Sequence, residues 1–222
     1  MTTSDQREVV SDIVKAIGDI QIAGSLTTDD WKKFRASVTL GDAGIWNQAF
    51  DDYFNGRLIP RYLKPIEVLQ KNGRLRGEGF SIVAIQCSLI EFLESTVQGK
   101  SYRYRSRGAP PLEPYEYSNS SGIFVSFLVN RVPFNRDFDK VSALDFYIAV
   151  RCGLLHEART KNGWTISAKQ MGKHTIDAAK KIVYRDTFQK GLLEFINWYK
   201  SELSSNTGLQ EAFIRKFDSL CD

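Results

Sequence analysis

Apolar residues recur at helical intervals along most of this chain. The segment SDQREVVSDIVKAIGDI carries one apolar stripe formed by Val9, Ile13, Ile17 and Ile20. The segment IWNQAFDDYF repeats the pattern with Trp46, Ala49, Phe50 and Tyr53. Spacings of three and four residues place these side chains on one face, so both segments are predicted to be amphipathic helices.

Local signals mark where several helices begin and end. In TTDDWKKF, Thr27 and Asp30 have capping-box spacing, with aspartate in place of the usual glutamate or glutamine, ahead of Trp31. Pro60 and Pro65 are expected to bracket a short separate piece. The glycine-rich segment KNGRLRGEGF then predicts a break in the chain.

The segment FSIVAIQCSLIEFLESTVQGK is apolar on most faces of a helix. One stripe contains Phe80, Val83, Cys87, Ile90, Leu93 and Val97, and much of the rest is filled by Ile82, Ile85, Leu89 and Phe92. A helix that is apolar nearly all round is typical of the centre of a bundle. We therefore expect this segment to be the central helix.

The second half of the chain alternates loops with further helices. YRYRSRGAPPLEPYEYSNSSG predicts a long loop, and GIFVSFLVNRV fits a strand or a short helix equally well. KNGWTI predicts a turn followed by a short extended piece. Two amphipathic helices are expected to close the chain, one over residues 175–203 and one at LQEAFIRKFDSL.

The helix that includes DFYIAVRCGLLHEA is predicted to turn one apolar stripe towards the core. That stripe consists of Val141, Leu144, Ile148, Cys152 and Leu155. The fold class expected from the whole pattern is all-α: a helical bundle with an N-terminal helical extension and room for one short β-hairpin. Residues 1–74 are assigned to the extension and residues 75–222 to the main helical domain.

Composition adds few constraints on function. A net charge of +4 permits contact with nucleic acid without arguing for it. The N-terminus lacks the features of a secretion signal, and no run approaches the roughly 18 apolar residues of a membrane span. Cys87, Cys152 and Cys221 are widely separated, which suggests neither a disulfide framework nor a zinc site. We expect a cytoplasmic protein with reduced thiols and no membrane association.

Arg151 and His156 combine two groups useful for phosphate chemistry. Neutral imidazole titrates near pH 6.5 and can act as base or acid, whereas arginine stays charged and binds phosphate bidentately. Five positions correspond to about 140° around an ideal helix, so the pair flanks the apolar stripe. Two copies facing each other across a two-fold axis would bring both pairs into one cleft.

RCGLLHEA, near the end of a helical domain, resembles the R-x4-6-H motif of the HEPN superfamily (higher eukaryotes and prokaryotes nucleotide-binding domains). The preceding long helix, the loop and the closing helices match the family's order over roughly residues 75–205. Many members of the superfamily are endoribonucleases that act without a metal or cofactor.

The resemblance implies that His156 is the general acid or base and that Arg151 binds the phosphate. Attack by the 2′-OH of RNA would leave a 2′,3′-cyclic phosphate and a 5′-OH. The resemblance also implies a homodimer that serves as a toxin or an anti-phage defence effector, with an antitoxin or sensor protein as partner.

Cys152 departs from the family pattern, in which a polar residue often follows the arginine. This departure favours an alternative, a non-catalytic HEPN-type module that binds RNA or protein. Arg151 would then form a structural ion pair with Glu91 or Glu94. A remote third interpretation pairs Cys152 with His156 as a nucleophile and base.

Two further features surround the motif. Glu157 can orient an imidazole or pair with Arg159 or Lys161. The segment GKSYRYRSRG interleaves basic residues with tyrosines, and its candidate RNA-binding residues are Lys100, Tyr102, Arg103, Tyr104, Arg105 and Arg107. Basic side chains follow phosphates and tyrosines stack on bases in single-stranded RNA. A solvated loop explains the same composition equally well, and no function is assigned to His174.

Overall fold

The computed structural model describes residues 20–73, 77–169 and 172–221. Within these ranges the chain forms seven helices and three small sheets, so the protein is mostly helical, as the sequence predicts. The predicted N-terminal helix carrying Val9, Ile13 and Ile17 lies outside the described residues.

The described chain begins with a short hairpin and a capped helix. Strand β1 (Gln21–Ala23) pairs antiparallel with β2 (Leu26–Thr27), and helix α1 (Thr28–Ser37) follows directly. The predicted capping box is confirmed, because the Thr27 hydroxyl accepts the Asp30 N–H at 3.3 Å and the Asp30 carboxylate accepts the Thr27 N–H at 2.9 Å.

Helix α2 runs without interruption over residues 43–71. It contains three α-helical segments and two π-helical segments, in the order Ala43–Ala49, Phe50–Asn55 (π), Gly56–Leu58, Ile59–Leu63 (π) and Lys64–Lys71. The expected separate piece between Pro60 and Pro65 is therefore wrong. Proline supplies no N–H to the regular helical ladder, and the helix accommodates it here with a wider π turn instead of breaking.

Helix α3 (Glu78–Gln98) is the central helix that the sequence predicts. It buries Val83, Cys87, Ile90 and Leu93 in the main hydrophobic cluster. Contrary to the sequence expectation, α3 is long and apolar enough to cross a membrane, but most of it is buried inside the protein. Such burial is what the core helix of a globular fold shows.

The long loop after α3 is tied together by two short parallel strands, β3 (Ser101–Tyr102) and β4 (Glu116–Tyr117). The segment that the sequence left ambiguous is a helix, α4 (Ser120–Asn130). The Asn119 side chain caps its first turn. A short 3-10 turn, Phe134–Arg136, follows α4.

The remaining elements are helix α5, a three-stranded sheet and two closing helices. Helix α5 comprises Lys140–Phe146, the π segment Tyr147–Cys152 and Gly153–Glu157. The sheet has the order β5-β7-β6, with β5 parallel and β6 antiparallel to the middle strand. These strands are β5 (Thr165–Ser167), β6 (Ile176–Asp177) and β7 (Ile182–Tyr184), and helices α6 (Arg185–Leu203) and α7 (Thr207–Asp218) complete the fold.

The predicted start of α6 near residue 175 is wrong by about ten residues. Ile182, Val183 and Tyr184 form β7, because β-branched and aromatic residues fit a half-buried sheet well. Lys181, with φ of 56°, makes the turn that leads into this strand. The extended piece expected after KNGW is confirmed as β5.

The N-terminal region packs onto the bundle. Trp31 of α1 contacts the rings of Phe213 and Phe217 of α7, at centroid distances of 6.0 and 5.2 Å. Its indole N–H also donates to Asp218 at 2.8 Å. The described residues of the predicted extension therefore share one hydrophobic core with the C-terminal helices, while the domain boundary at residue 74 stays a prediction.

The orientation predicted for α5 is wrong. The stripe expected to face the core is turned outwards, with Val141 78%, Leu144 45%, Ile148 48% and Leu155 46% exposed. The opposite side of α5 is buried, and it presents Ala143, Phe146, Ala149, Val150, Gly153 and Leu154 to the core. Both sides of the helix are apolar, so periodicity alone does not select the buried one. We call Val141, Leu144, Ile148 and Leu155 the outward stripe.

Candidate functional site

The candidate site lies on the second half of α5, whose end is shaped by a close approach of the chain to itself. Helix α5 ends at Glu157, and Ala158 takes the left-handed conformation with φ of 54°. The chain then folds back, so that the Arg159 N–H donates to the Gly153 carbonyl at 3.3 Å. A Cβ atom at Gly153 would lie 2.5 Å from the Arg159 carbonyl oxygen. Glycine is therefore required one turn before His156.

Arg151 is anchored to the central helix. Its Nη2 donates to Oε2 of Glu91 at 3.4 Å, and both side chains are largely buried. The guanidinium carbon lies 5.3 Å from the centre of the Tyr147 ring, one turn earlier on α5. Of the two ion-pair partners considered from the sequence, Glu91 is the one observed.

Glu94, the other candidate, pairs instead with Arg131. Its two carboxylate oxygens accept from Nε at 2.8 Å and from Nη2 at 3.1 Å of this arginine. Glu94 is fully buried and also accepts the Ser126 hydroxyl at 2.8 Å. Pairing and hydrogen bonding offset the cost of burying this charge. The bidentate pair fixes α4 against α3 and leaves Arg151 to Glu91.

Glu91 joins three parts of the fold at the candidate site. Its Oε1 accepts the Ser120 hydroxyl at 2.8 Å and the Tyr117 hydroxyl at 3.1 Å, while Oε2 faces Arg151. Burial, reinforced by the Glu91 carboxylate, raises the pKa of Tyr117 well above its usual range. Strand β4, which contains Tyr117, is thus held close to Arg151 through Glu91.

His156 is exposed in the last turn of α5. Within the part of the chain that the structure describes, its imidazole forms no hydrogen bond and no ion pair, so one chain does not join His156 to Arg151. An exposed imidazole with both nitrogens free can exchange protons with a bound molecule.

Cys152 and Glu157 lie close to the pair in sequence but contact other groups. Burial raises the pKa of Tyr147, and its interaction with the neighbouring Cys152 thiol adds to the effect. Cys152 forms no hydrogen bond to His156 among the described residues. Glu157 pairs with Lys161 and, at 3.3 Å, with Arg159, and hydrogen bonding to Lys161 lowers its pKa most.

Only some side chains of the basic loop, residues 99–108, have partners within the fold. Arg103 pairs with Glu116 at 2.9 Å across the β3–β4 ladder, and Tyr102 packs edge-on against Tyr117. Tyr104 is 77% exposed. Of the predicted RNA-binding residues, Arg103 and Tyr102 therefore have structural partners, whereas Tyr104 presents its ring to solvent.

Arg105 and Arg107 have the fewest side-chain contacts among the cations of the basic loop. Arg105 reaches only the Ala109 carbonyl, at 3.5 Å, and Arg107 has no hydrogen bond or ion pair among the residues described. Lys100 takes part through its backbone, because its carbonyl accepts the Lys216 ammonium at 3.0 Å. Charge available for a ligand is concentrated at the tip of the loop.

Lys216 was not found by sequence reasoning. It lies on α7 and is largely buried, with its ammonium 5.6 Å from the centre of the Phe92 ring. Burial lowers the pKa of Lys216 to about 8. Its bond to the Lys100 carbonyl fixes the base of the loop. Nothing in the pattern around Lys216 marks it, because an amphipathic helix normally places lysine on its solvated side.

The sequence did carry a signal for the partner of Arg151. Two glutamates interrupt the otherwise apolar segment CSLIEFLES, and charges on a buried helix require partners. Tyr117 and Ser120, which complete the Glu91 cluster, lie 26 and 29 positions further along and show no local pattern.

Comparison of the chain with protein-family models, with curated proteins and with solved structures found no match.

Proposed function

We propose that this protein is a HEPN-like endoribonuclease in which two copies assemble the reactive site from Arg151 and His156. The observation that carries the proposal is the position of His156, exposed and unpartnered among the described residues, on the helix that also bears Arg151 and the outward stripe. A structural histidine would be expected to have a partner in the fold.

The chemistry needs only the groups that two such helices supply. One imidazole takes the proton of the 2′-OH, the 2′-oxygen attacks phosphorus, and the bond from phosphorus to the 5′-oxygen breaks. The imidazole of the second copy gives a proton to the departing 5′-oxygen. Arginine carries five N–H donors, and the contact with Glu91 uses Nη2 alone, so donors remain for the phosphate.

The outward stripe supports a homodimer. An interface about a two-fold axis pairs a surface with itself, and one apolar stripe along a helix meets that condition. Four large apolar side chains on one exposed face are unusual for a monomer. We expect the α5 helices of two copies to pack against each other and to bring their His156 side chains into one cleft.

Ile148→Asp tests this dimer. Sedimentation equilibrium should give a dimer mass for the wild type and a monomer mass for Ile148→Asp, because a carboxylate at a buried interface is left without a partner. Val68→Asp is the matched control, since Val68 is similarly exposed, at 45%, but lies on α2. A monomeric wild type, or dissociation by both variants, would contradict the proposed interface.

The basic loop supports RNA as the substrate. Tyr117 of β4 donates to Glu91, and Glu91 also accepts from Arg151. The same carboxylate therefore links the long loop to the candidate site. Exposed Tyr104 can stack on a base, and Arg105 and Arg107 can contact phosphates. By the family resemblance, the enzyme would act in the cytoplasm as a toxin or anti-phage effector, controlled by an antitoxin or sensor protein.

A second function, a non-catalytic module that binds RNA or protein, is favoured by the Arg151–Glu91 ion pair. An arginine held by a carboxylate of the central helix already has a structural role. Cys152 also stands where active relatives often carry a polar residue. In this alternative the outward stripe or the basic loop would bind the partner.

Incubation with a mixed RNA substrate in EDTA distinguishes the two functions. We expect the wild type to leave 2′,3′-cyclic phosphate ends and His156→Ala to lose about 10²–10⁴-fold in rate, which is the usual contribution of a positioned acid or base. Arg151→Lys should also be slow, because an ammonium cannot hold phosphate bidentately.

Arg159→Ala is the charge control, since it removes an exposed arginine from the neighbouring turn and should cleave as fast as the wild type. Folding of each variant is checked by circular dichroism. Equal cleavage by wild type and His156→Ala would refute the assigned site. Binding of RNA without cleavage by the wild type would favour the binding module.

A further inference from the structure

A cavity outside the candidate site is built around the second histidine of the chain. Its volume is about 550 Å³, within the range of small-molecule sites. The cavity is lined by Arg136, Asp137, Gly172, His174, Ile176, Asp177, Ala178 and Tyr184. Arg136 ends the 3-10 turn after α4 and Asp137 follows it, whereas the other lining residues belong to the segment around β6 and β7. None of them lies on α5 or in the basic loop.

His174 is held in one orientation by a nearly buried carboxylate. Its Nδ1 lies 2.7 Å from Oδ1 of Asp137, whose side chain is only 5% exposed. The other oxygen, Oδ2, accepts the backbone N–H of Thr175 at 2.6 Å and its hydroxyl at 2.7 Å. A carboxylate fixed by three contacts accepts the proton on Nδ1, which leaves Nε2 as the ring nitrogen available to a ligand.

The same carboxylate favours the charged imidazole. The hydrogen bond to Asp137 and its negative charge raise the pKa of His174, with a smaller contribution from Asp177. When charged, the imidazole donates from both nitrogens. His174 can therefore present a hydrogen-bond donor with positive charge to a ligand while Asp137 fixes the ring.

Cations without partners surround the same region. A second cavity of about 310 Å³ shares Arg136 and Gly172 with the first and is also lined by Lys173 and Lys190. Within the described ranges, none of Arg136, Lys173 and Lys190 forms an ion pair. Arg136 thus lies on the wall between two cavities with its guanidinium charge uncompensated.

The acidic groups nearby do not cancel this charge. Asp137 is committed to His174 and Thr175, and Asp177 is committed to Lys180 through a contact of 3.3 Å and a backbone hydrogen bond of 2.9 Å. Glu194, which lines the smaller cavity, is the one lining carboxylate without an ion pair among the described residues. The region therefore favours an anionic ligand.

The floor of the larger cavity suits an organic body more than a bare ion. Ile176 and Tyr184 of the three-stranded sheet line it, and each exposes only a small part of an otherwise buried residue to the cavity, so packing in the core supports this floor. An inorganic anion would leave most of about 550 Å³ unfilled. A ligand with one charged end and a body of sugar size fits both parts.

We propose that this cavity binds a small free phosphomonoester, with the phosphate held by Arg136 and His174 and the organic body over Ile176 and Tyr184. Phosphate matches these donors, because guanidinium and imidazolium both form charge-assisted bonds to its oxygens. The site is independent of the proposed ribonuclease function, since it shares no residue with it.

Isothermal titration calorimetry of the full chain tests the proposal with ribose 5-phosphate, ribose and inorganic phosphate as probes. We expect ribose 5-phosphate to bind at least about tenfold more tightly than either other probe, because only it uses both the cations and the floor. Equal binding of ribose, or heat from none of the probes, would overturn the proposal.

Variants assign the binding to these residues. Arg136→Ala and His174→Gln should each weaken ribose 5-phosphate binding by about tenfold or more, since each removes a charged donor. Lys33→Ala is the control, because it removes an exposed cation from α1 and should bind as the wild type does. Unchanged affinity in both cavity variants would overturn the assignment.

A last comparison separates a free ligand from the end of an RNA strand. A short oligoribonucleotide with a 5′-phosphate carries the same chemical group as ribose 5-phosphate. Weaker binding of this oligonucleotide than of ribose 5-phosphate would support a small free ligand. Binding of the phosphorylated strand alone would overturn the proposal and assign the cavity to RNA ends.

Discussion

Replacing Glu91 by glutamine tests whether the contact with Arg151 holds the candidate site together. Oε1 of Glu91 accepts the Ser120 and Tyr117 hydroxyls, whereas Oε2 accepts from Arg151. A glutamine amide can keep both hydroxyl bonds through its carbonyl oxygen, but it presents an N–H group to a guanidinium that can only donate. The substitution therefore removes one ion pair and leaves the rest of the cluster in place.

The magnitude follows from the geometry of that single contact. The two side chains are 18% and 19% exposed, so solvent screens the pair only in part, but the separation of 3.4 Å is long for a charged hydrogen bond. Charged hydrogen bonds contribute about 1.5–3 kcal/mol, and we expect Glu91→Gln to lower the free energy of unfolding by about 1–2 kcal/mol. Glu91→Ala also leaves the Tyr117 and Ser120 hydroxyls without their acceptor and should lower the free energy of unfolding by about 3–4 kcal/mol.

Urea unfolding at pH 7, followed by circular dichroism, measures both changes. Glu67→Gln is the control, because its partners Lys64 and Lys71 are exposed, and the change should stay below about 0.5 kcal/mol. An unfolding midpoint for Glu91→Gln equal to that of the wild type would show that the ion pair contributes nothing. The account of Arg151 as a residue anchored by α3 would then be refuted.

Three further substitutions test other parts of the fold. Gly153→Ala should lower the free energy of unfolding by about 1–3 kcal/mol, because the added methyl collides with the returning backbone. Trp31→Phe should cost about 1–2 kcal/mol, because the bond from the indole to Asp218 is lost. Lys216→Met should lose stability relative to the wild type as the pH rises above 8, as followed by urea unfolding at several pH values.

The sign of the pH effect comes from proton binding. The pKa of Lys216 is about 8 in the folded protein because of burial, and it returns to about 10.4 in the unfolded chain. Between these values the unfolded state binds more protons, so this lysine makes the wild type more stable as pH rises, by up to about 3 kcal/mol. If the free energies of unfolding of the wild type and Lys216→Met differed by the same amount at every pH from 7 to 10, this prediction would be contradicted.

The other two predictions have their own controls in urea unfolding. Gly122→Ala adds a methyl group to a helical glycine whose new Cβ would meet only the Asn119 side chain, at 3.8 Å. It should be neutral or slightly stabilising, and a loss equal to that of Gly153→Ala would argue against the collision. A Trp31→Phe variant as stable as the wild type would show that the hydrogen bond from the Trp31 indole to Asp218, which joins α1 to α7, contributes nothing to stability.

Local chemistry made several elements predictable. The capping box at Thr27 and the apolar stripe of α3 depend on side chains only a few positions apart. The capping box is found as expected, and the stripe is buried at Val83, Cys87, Ile90 and Leu93, whereas Phe80 at the start of the helix is 41% exposed. The start of α6 was missed, because Ile182 and Val183 fit a helix by spacing and a strand by shape. The pairing of β5 and β6 with β7 decides between them.

For the candidate site, the sequence by itself determined the apolar stripe of α5, the flanking Arg151 and His156, and the two glutamates of α3 as candidate partners. Only the tertiary structure decided that the stripe faces outwards and that Glu91, with Tyr117 and Ser120, receives Arg151. The physical reason is that helical periodicity records which residues share a face. Which apolar face is buried depends on the volumes packed against it from distant parts of the chain.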